Sequence, residues 1–416
     1  MLKKKVLHIN HTTFGGTGRV VNTIIESLEL LDYDNVFVTV RGDTDKKAIY
    51  LNKFSYYFSK ILSKIFTKTS TSNNKIEPEV FCSSKFNVIR NGIKDSNVEI
   101  IILYWINNTI TTDDVRKLAK STNAKIYIYL MDEAFLTGGC FYFDSCENYI
   151  KGCGNCPAIL WGKIHKDITY NNARKDRTNF NEINPTILCP STQSLIDSEK
   201  SYILQGFKKE KLLIPLGDDY GIRKNKIEVR ANFNIDHKGT LLFFGASSLS
   251  NERKGTKYLL EALAIVFEAL DERERDNVKL VIAGNAGEMN LDTIKFESYV
   301  LGYLSHNQLV DAYKMSDIFV SSSIIDMGPM MVNESIKSGL PVVCFDIGIS
   351  KDLVINGQTG FRVETKNVQL MAESIIKILR QTEVEKQNMI QNCLKVGENL
   401  LSYRVFNDSI KEIFNA

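Results

Sequence analysis

The sequence predicts an α/β protein built as two domains, each a parallel sheet with helices on its faces. Three observations carry that expectation. At 416 residues the chain is longer than one hydrophobic core usually serves, since single cores stop growing near roughly 250–300 residues. Short apolar runs alternate with helix-length segments, and crossovers of that length join parallel strands. The alternation then restarts after a charged stretch, 220–237, which reads as the linker region.

In chain order, 6–10 is a strand, followed by a polar, Gly-rich loop and an amphipathic helix from about Arg19 to Leu31. Runs at 36–40, 98–104, 124–130 and 187–190 continue the first series of strands. Runs at 241–245, 278–283, 318–321 and 342–345 form the second, with helices such as 257–270 and 307–315 between them. The expected division is 1–219, with a Cys-rich loop at 137–157, then 220–400, then a terminal helix at 401–416 that crosses back onto the first domain. Two Rossmann-like domains with parallel sheets facing a central cleft would bring both sets of strand C-termini to one place. Ligands sit at such strand ends in open α/β sheets.

Composition narrows the function classes. An apolar fraction of 44% and a charged fraction of 24% are those of an ordinary globular protein. A net charge of +3 is too small to argue for nucleic acid as the partner. No apolar run reaches the roughly 18 residues of a membrane-spanning helix, and the basic N-terminus lacks the apolar length of a signal peptide. The expectation is a cytoplasmic protein whose eight cysteines are mostly reduced.

The most informative segment is 316–360. An apolar strand ends in a small-residue turn, and a helix opens near Pro329, where a missing N–H is harmless. The N–H groups of Met330, Met331 and Val332 would then surround a helix N-terminus, which carries about half a positive charge and suits an anion. Asp326 and Glu334 bracket that terminus with seven residues between them. A diphosphate flanked by hydroxyl-rich sugars matches both features. Read without that run, the segment is an ordinary capped helix.

This run is similar to the acid-x7-acid signature of family 4 retaining glycosyltransferases of the GT-B fold, with Asp326 where many members have Glu. Gly339-Leu-Pro341, Asp346-Ile-Gly348 and Asn356-Gly357-Gln-Thr-Gly360 continue the pattern. The resemblance, strongest to bacterial exopolysaccharide and O-antigen (colanic-acid-type) enzymes, implies that Glu334 holds ribose. It implies that Asp326, Gly328, Pro329, Met330 and Met331 hold donor sugar and phosphate. Gly15 and Gly16, in the loop after the first strand, would face the donor diphosphate, with Arg19 nearby; that loop lacks the spaced G-x-G-x-x-G of dinucleotide binders. Lys254, before Gly255, resembles the family's donor clamp. Ala246 stands where the family often has Arg, so Arg253 would supply the second cation. No metal-binding acid pair is evident, so fixed cations and amides would neutralise the leaving group. At the end of the 124–130 strand, Asp132 would orient the acceptor hydroxyl or take its proton, while Met131 occupies the family's usual His position.

Cys140, Cys146, Cys153 and Cys156 crowd one loop, one pair spaced C-x-x-C, which fits a structural tetrahedral zinc with His165 as a substitute ligand. Two disulfides or four unrelated thiols are the alternatives. The segment 50–68 reads as a basic, aromatic amphipathic helix; such a helix packs on a core or lies in an anionic membrane interface. The whole reading is a retaining transferase that moves a sugar from a UDP- or GDP-sugar to a glycan acceptor. In relatives the acceptor is commonly carried on polyprenyl diphosphate, which would place the work at the inner face of the membrane. A nucleotide-sugar binding protein without turnover and a nucleotide-sugar epimerase are the alternatives.

Overall fold

A computed structural model of the protein describes residues 3–42, 48–51, 53–66, 84–93, 97–159, 166–285 and 293–416. The chain forms two compact units, one made of Met1–Ile214 with Phe406–Ala416, the other of Pro215–Val405. In the first, β1 (Lys5–Ile9), β2 (Asp34–Thr39), β3 (Ala48–Tyr50), β4 (Val98–Leu103), β5 (Lys125–Tyr129), β6 (Thr186–Cys189) and β7 (Lys209–Lys211) pair in the order β3-β2-β1-β4-β5-β6-β7, all parallel. In the second, β8 (Thr240–Ser248), β9 (Val278–Asn285), β10 (Ser298–Gly302), β11 (Ile318–Ser321), β12 (Val342–Phe345) and β13 (Gly360–Val363) pair in the order β10-β9-β8-β11-β12-β13, again all parallel.

Helices cover both faces of a parallel sheet, so its inner strands are apolar without alternation. Ile100 to Leu103 in β4 and all of β11 and β12 are buried residue after residue. In each unit the first strand lies inside the sheet, and the chain winds outward from it in both directions. The strand order reverses between β1 and β4, and between β8 and β11. Loops leaving the C-terminal ends of such a strand pair diverge and leave a crevice. That topology alone decides which loops can form a site: those after β8 and β11 in one unit, those after β1 and β4 in the other.

The strands that sequence reading passed over are edge or near-edge strands. β7 is Lys-Glu-Lys, a charged edge that resists pairing with other chains. β10 carries no fully buried residue, and β13 only one. The charged stretch taken for a linker is folded into the second unit. Its helix Lys226–Asn232 is capped by Asn225, and its buried Arg230 donates to the carbonyls of Met315 (3.0 Å), His237 (2.7 Å) and Gly239 (2.9 Å). The helix expected from about Arg19 begins earlier, as Gly15–Glu29.

The last helix, Tyr403–Asn415, buries Phe406, Ile410, Ile413 and Phe414. Phe414 lies 4.9 Å from the Tyr127 ring and 5.8 Å from the Tyr33 ring, and Ser27 donates to Asn407 at 2.6 Å. The chain's end is thereby part of the first unit's core. Among the described residues no helix is long and apolar enough to cross a membrane.

Candidate functional site

In the second unit, the loop after β8 ends in a short 3-10 turn, Glu252–Lys254, started by Asn251, whose side chain accepts from the Arg253 N–H. The turn is fastened to the segment after β11. Ile324 N–H donates to the Arg253 carbonyl at 2.8 Å, Ser322 Oγ to the Lys254 carbonyl at 2.8 Å, and the Arg253 guanidinium to the Ile325 carbonyl at 3.2 Å. Gly255 makes this approach possible. Its φ is +62°, and a β-carbon there would lie 2.0 Å from the Ser322 carbonyl oxygen.

Fastening the two loops brings Lys254 to Asp326. Lys254 Nζ sits 2.6 Å from Asp326 Oδ2, and Oδ1 accepts from the Gly328 N–H at 3.1 Å. Burial pushes the Asp326 carboxyl up, but Lys254, then Arg253 and the Gly328 N–H, together hold it below its ordinary value. Asp326 is therefore held as the carboxylate, and a lysine side chain has two further N–H donors beyond this contact.

The helix Met330–Lys337 opens beside this pair. Pro329 stands just before the first helical residue rather than on it, and the Val332 N–H is taken by the Pro329 carbonyl at 2.9 Å. Of the three amides expected to be available, Met330 and Met331 remain. No side chain caps this end and its first turn has no acid, so its partial positive charge is not neutralised locally. Met331 packs over the end of β8, where a β-carbon on Gly245 would lie 3.0 Å from its methyl group.

Glu334 is deeper than expected. It is 1% exposed and accepts from Tyr220 at 3.2 Å and from Tyr313 at 2.6 Å. Sequence reading missed both tyrosines. Tyr220 lies in the charged stretch that reads as a linker, and Tyr313 lies on a helix where its ring packs on Phe243 and Phe319 like any core aromatic.

In the first unit, Gly15 and Gly16 open the helix Gly15–Glu29, whose N-terminus likewise has neither a capping side chain nor an early acid. A β-carbon on either would meet nothing within 4 Å, whereas one on Gly18 would lie 2.4 Å from Thr13 backbone. Gly18 thus serves packing, and Gly15 and Gly16 leave the loop open. Asp132 is 7% exposed and its Oδ1 accepts from the Ala134 N–H at 2.9 Å, starting the turn after β5. Its neighbour Glu133, unnoticed in the sequence, is buried and accepts from the Phe143 N–H.

The four loop cysteines gather in one place, where the Cys140 thiol is influenced by Cys156, Cys153 and Cys146. Among the described residues no group of three or more His, Cys, Asp and Glu side chains is placed to hold a metal ion, and His165 lies outside the described residues. Each sulfur has a hydrogen-bond partner. Cys140 and Cys156 hydrogen-bond to each other, Cys153 accepts from the Gly138 N–H at 3.2 Å, and Cys146 accepts from backbone at Asn148. All four are outside disulfides. Burial pushes the Cys153 thiol up to about 12.

Comparison of the fold settles its class. The structure matches sucrose-phosphate synthase of Thermosynechococcus elongatus with a TM-score of 0.71 at 12% identity, covering 99% of this chain and 98% of that one. Anabaena HepE, solved in complex with UDP and glucose, matches with a TM-score of 0.63 at 12% identity, covering 99% of this chain and all of that one (100%). The fold is GT-B, with two parallel-sheet α/β domains.

The family match falls within the second unit. Residues 225–395 match the family described as Glycosyl transferases group 1. An uncharacterized glycosyltransferase of Methanocaldococcus jannaschii is 27% identical over 165 residues, 38% of this chain and 40% of that protein. Another, of Haemophilus influenzae, is 26% identical over 238 residues, 56% and 63% respectively. Alpha-monoglucosyldiacylglycerol synthase of Streptococcus pneumoniae is 29% identical over 174 residues, 38% and 36%. The matches span from about two fifths to under two thirds of the length of the first two relatives.

Proposed function

We propose that this protein is a retaining glycosyltransferase that moves a hexosyl group from a nucleoside diphosphate sugar to an acceptor hydroxyl in glycan assembly. The observation that carries the reading is the Lys254–Asp326 pair fixed beside the uncapped N-terminus of Met330–Lys337, with Glu334 buried one turn further on. A diphosphate needs cations and amides, and this site has both on rigid elements. Lys254, Arg253 and the amides at Met330 and Met331 hold the leaving diphosphate, with Gly328 and Pro329 keeping its approach open. Asp326 positions the donor sugar and Glu334 the ribose. In the first unit Gly15 and Gly16 receive phosphate and Asp132 serves the acceptor side. Fixed donors aimed at developing charge typically contribute on the order of 3–4 kcal/mol each, and in this proposal these groups carry the catalysis without a metal. The HepE complex with UDP and glucose supports UDP as the nucleotide.

The acceptor belongs to polysaccharide or lipid-linked glycan chemistry in this proposal, at the cytoplasmic face of a membrane. The helix Lys53–Phe66 supports that placement. Tyr57, Phe58, Ile61 and Ile65 are exposed, between 56% and 58%, with Lys60 and Lys64 exposed among them. An apolar face with interleaved lysines suits an anionic lipid surface.

Calorimetric titration with UDP, GDP and ADP, beside a Glu334→Gln variant, tests the donor site. Binding of one nucleotide, weakened at least about tenfold in the variant, is the expected result. Binding of none would remove the transferase reading. Met131 favours a second reading, nucleotide-sugar binding without turnover; release of UDP from a UDP-sugar in the presence of glycan acceptors excludes it.

A further inference from the structure

The first unit contains a cavity of about 140 Å³ between the loops after β4 and β5 and the helix Ile168–Ile183. It lies at the C-terminal ends of neighbouring strands, the ligand-binding side of a parallel sheet. Asn108, Phe135, Thr137, Asn172, Lys175 and Asp176 line it, with Gly138 and Gly139 at its wall. A β-carbon on Gly138 would lie 2.0 Å from the Thr169 carbonyl, so this glycine lets the loop close against the helix.

Asn108 is the anomaly. It is 4% exposed, its φ is +55°, and neither Oδ1 nor Nδ2 of its amide has a hydrogen-bond partner. A buried polar group left in that state costs about 1–3 kcal/mol, and such groups in native proteins call for an explanation. Across the cavity, the Thr112 hydroxyl donates to Asp176 Oδ1 at 2.5 Å and accepts from Asn179 at 2.9 Å. Asp176 is pushed up to about 6 by burial, against the opposing effects of Thr112 and Lys175, so its carboxylate gains from any further donor.

We propose that this cavity binds a neutral, polyhydroxylated sugar ring, with Asn108 and Asp176 as the residues that select it. Ring hydroxyls both donate and accept, which is what an idle amide and a carboxylate short of donors require. Lys175 and Asp176 oppose each other in charge, which favours an uncharged ligand over an anion. Phe135 offers an apolar face to the ring's C–H surface. The Asn108 amide turns out of its buried rotamer to meet the ring, and the hydrogen bonds gained replace the deficit of its unpartnered state. The proposal rests on the transferase reading, for which this pocket would hold the acceptor sugar, and it assigns a site that the donor-binding residues do not include.

The test is saturation-transfer NMR of the full chain with methyl α-glucopyranoside, methyl β-galactopyranoside and methyl α-mannopyranoside, with UDP titrated in parallel. Asn108→Gly is the first variant, since glycine accepts the positive φ; Asp176→Asn, nearly isosteric and still able to accept from Thr112, is the second. The expected result is transfer to at least one glycoside, with apparent affinity weakened at least about tenfold in both variants, as loss of one or two neutral hydrogen bonds gives. UDP affinity should stay within about twofold of the parent. If Asn108→Gly does not fold, the Asp176→Asn result decides alone. Glycoside binding that is absent, or undiminished in a folded variant, overturns the proposal. Loss of UDP binding in the parent with glycoside binding intact would instead strike the transferase reading and leave this site standing.

Discussion

Lys254 and Asp326 each determine what the other can do. With both present the pair is close to neutral, and the open helix end beside it supplies the remaining positive character. Lys254→Ala leaves a mostly buried carboxylate facing the incoming diphosphate, so UDP affinity should fall by about ten- to a hundredfold, as expected for a lost charge-assisted hydrogen bond. Asp326→Ala should act in the opposite direction on binding, holding or strengthening UDP affinity while transfer falls, because Lys254 is released but the donor sugar loses its anchor. Calorimetry with UDP and a turnover assay on the two variants separate these outcomes; equal loss of UDP affinity in both would contradict the assignment. A second residue-scale prediction concerns pH. His8 is wholly buried between Tyr104 and Asn35, at 2.9 Å from each, and burial pushes it down to about 4. Its folded value lies below the ordinary 6.5, so the unfolded chain binds the extra proton first. The stability is fully present above pH 6.5 and is lost as pH falls toward 4, by about 2 kcal/mol at pH 5. His11, also pushed down to about 4 by burial and then by Arg41 and Lys60, adds a loss of the same sign. Urea denaturation at pH 7.5 and pH 5 should show a drop in the parent that is about halved in His8→Gln.

The helix Met330–Lys337, placed at the donor site in the proposed function, owes its position to packing as much as to its sequence. Met330–Lys337 lies against Glu383–Leu401, where a β-carbon on Gly397 would stand 2.7 Å from the Lys337 Cα and Lys337 Nζ pairs with Glu398 at 2.8 Å. Gly397→Ala should therefore push the helix from the site. The expected effect is a destabilisation of about 1–3 kcal/mol by urea denaturation and weaker UDP binding, although residue 397 touches no ligand. A variant with unchanged UDP affinity would mean that the helix position is set elsewhere. The surface helix Lys53–Phe66 makes the complementary case. Phe58→Asp with Ile61→Asp should leave UDP affinity unchanged and reduce co-sedimentation with vesicles of phosphatidylglycerol and phosphatidylcholine by at least about tenfold, given about 0.8 kcal/mol per buried methylene. Vesicle binding that survives the double substitution would remove the membrane contact from the proposal. These elements also show how far the sequence could be read. Continuous apolar runs such as Ile100 to Leu103, with turn signals on each side, announce buried parallel strands before any coordinates exist. Strands such as Lys209–Lys211 carry no such run, because an edge strand is held by one neighbour and kept charged against others. At the site, the spacing of Asp326 and Glu334 was legible because both lie on one loop-helix segment. The contacts of Glu334 with Tyr220 and Tyr313 were not, since they join residues 114 and 21 positions away and depend on packing alone. The cysteines were legible in the same way as the two acids: their spacing suggested convergence, and the Cys140 thiol lies where Cys146, Cys153 and Cys156 all act on it.

At the scale of the whole chain, sequence order and unit membership part company at the C-terminus. The chain leaves the first unit after Ile214, builds the second, and returns at Phe406 to finish the first. Residues 406–416 therefore act on a unit whose other residues end almost two hundred positions earlier. Burial of Phe406, Ile410, Ile413 and Phe414 contributes roughly 1.5–3 kcal/mol for each side chain, a sum comparable with the whole stability of an ordinary domain. The hydrogen bonds from Tyr127 to the Ile413 carbonyl (3.3 Å) and from Ser27 to Asn407 (2.6 Å) would be lost with them. Ending the chain after Val405 should thus unfold or strongly loosen the first unit, while the second, which holds Lys254, Asp326 and Glu334, keeps its own residues complete. The measurable consequence is selective. In thermal unfolding followed by calorimetry, the truncated chain should lose or lower one transition and retain another that UDP still raises, by about 2.7 kcal/mol at a hundredfold excess over the dissociation constant. UDP affinity itself should remain within a few-fold, and transfer to acceptor should vanish with the first unit. If truncation abolished UDP binding along with transfer, the nucleotide site could not belong to the second unit alone, and the phosphate role given to Gly15 and Gly16 would carry more of the affinity than the Lys254–Asp326 pair.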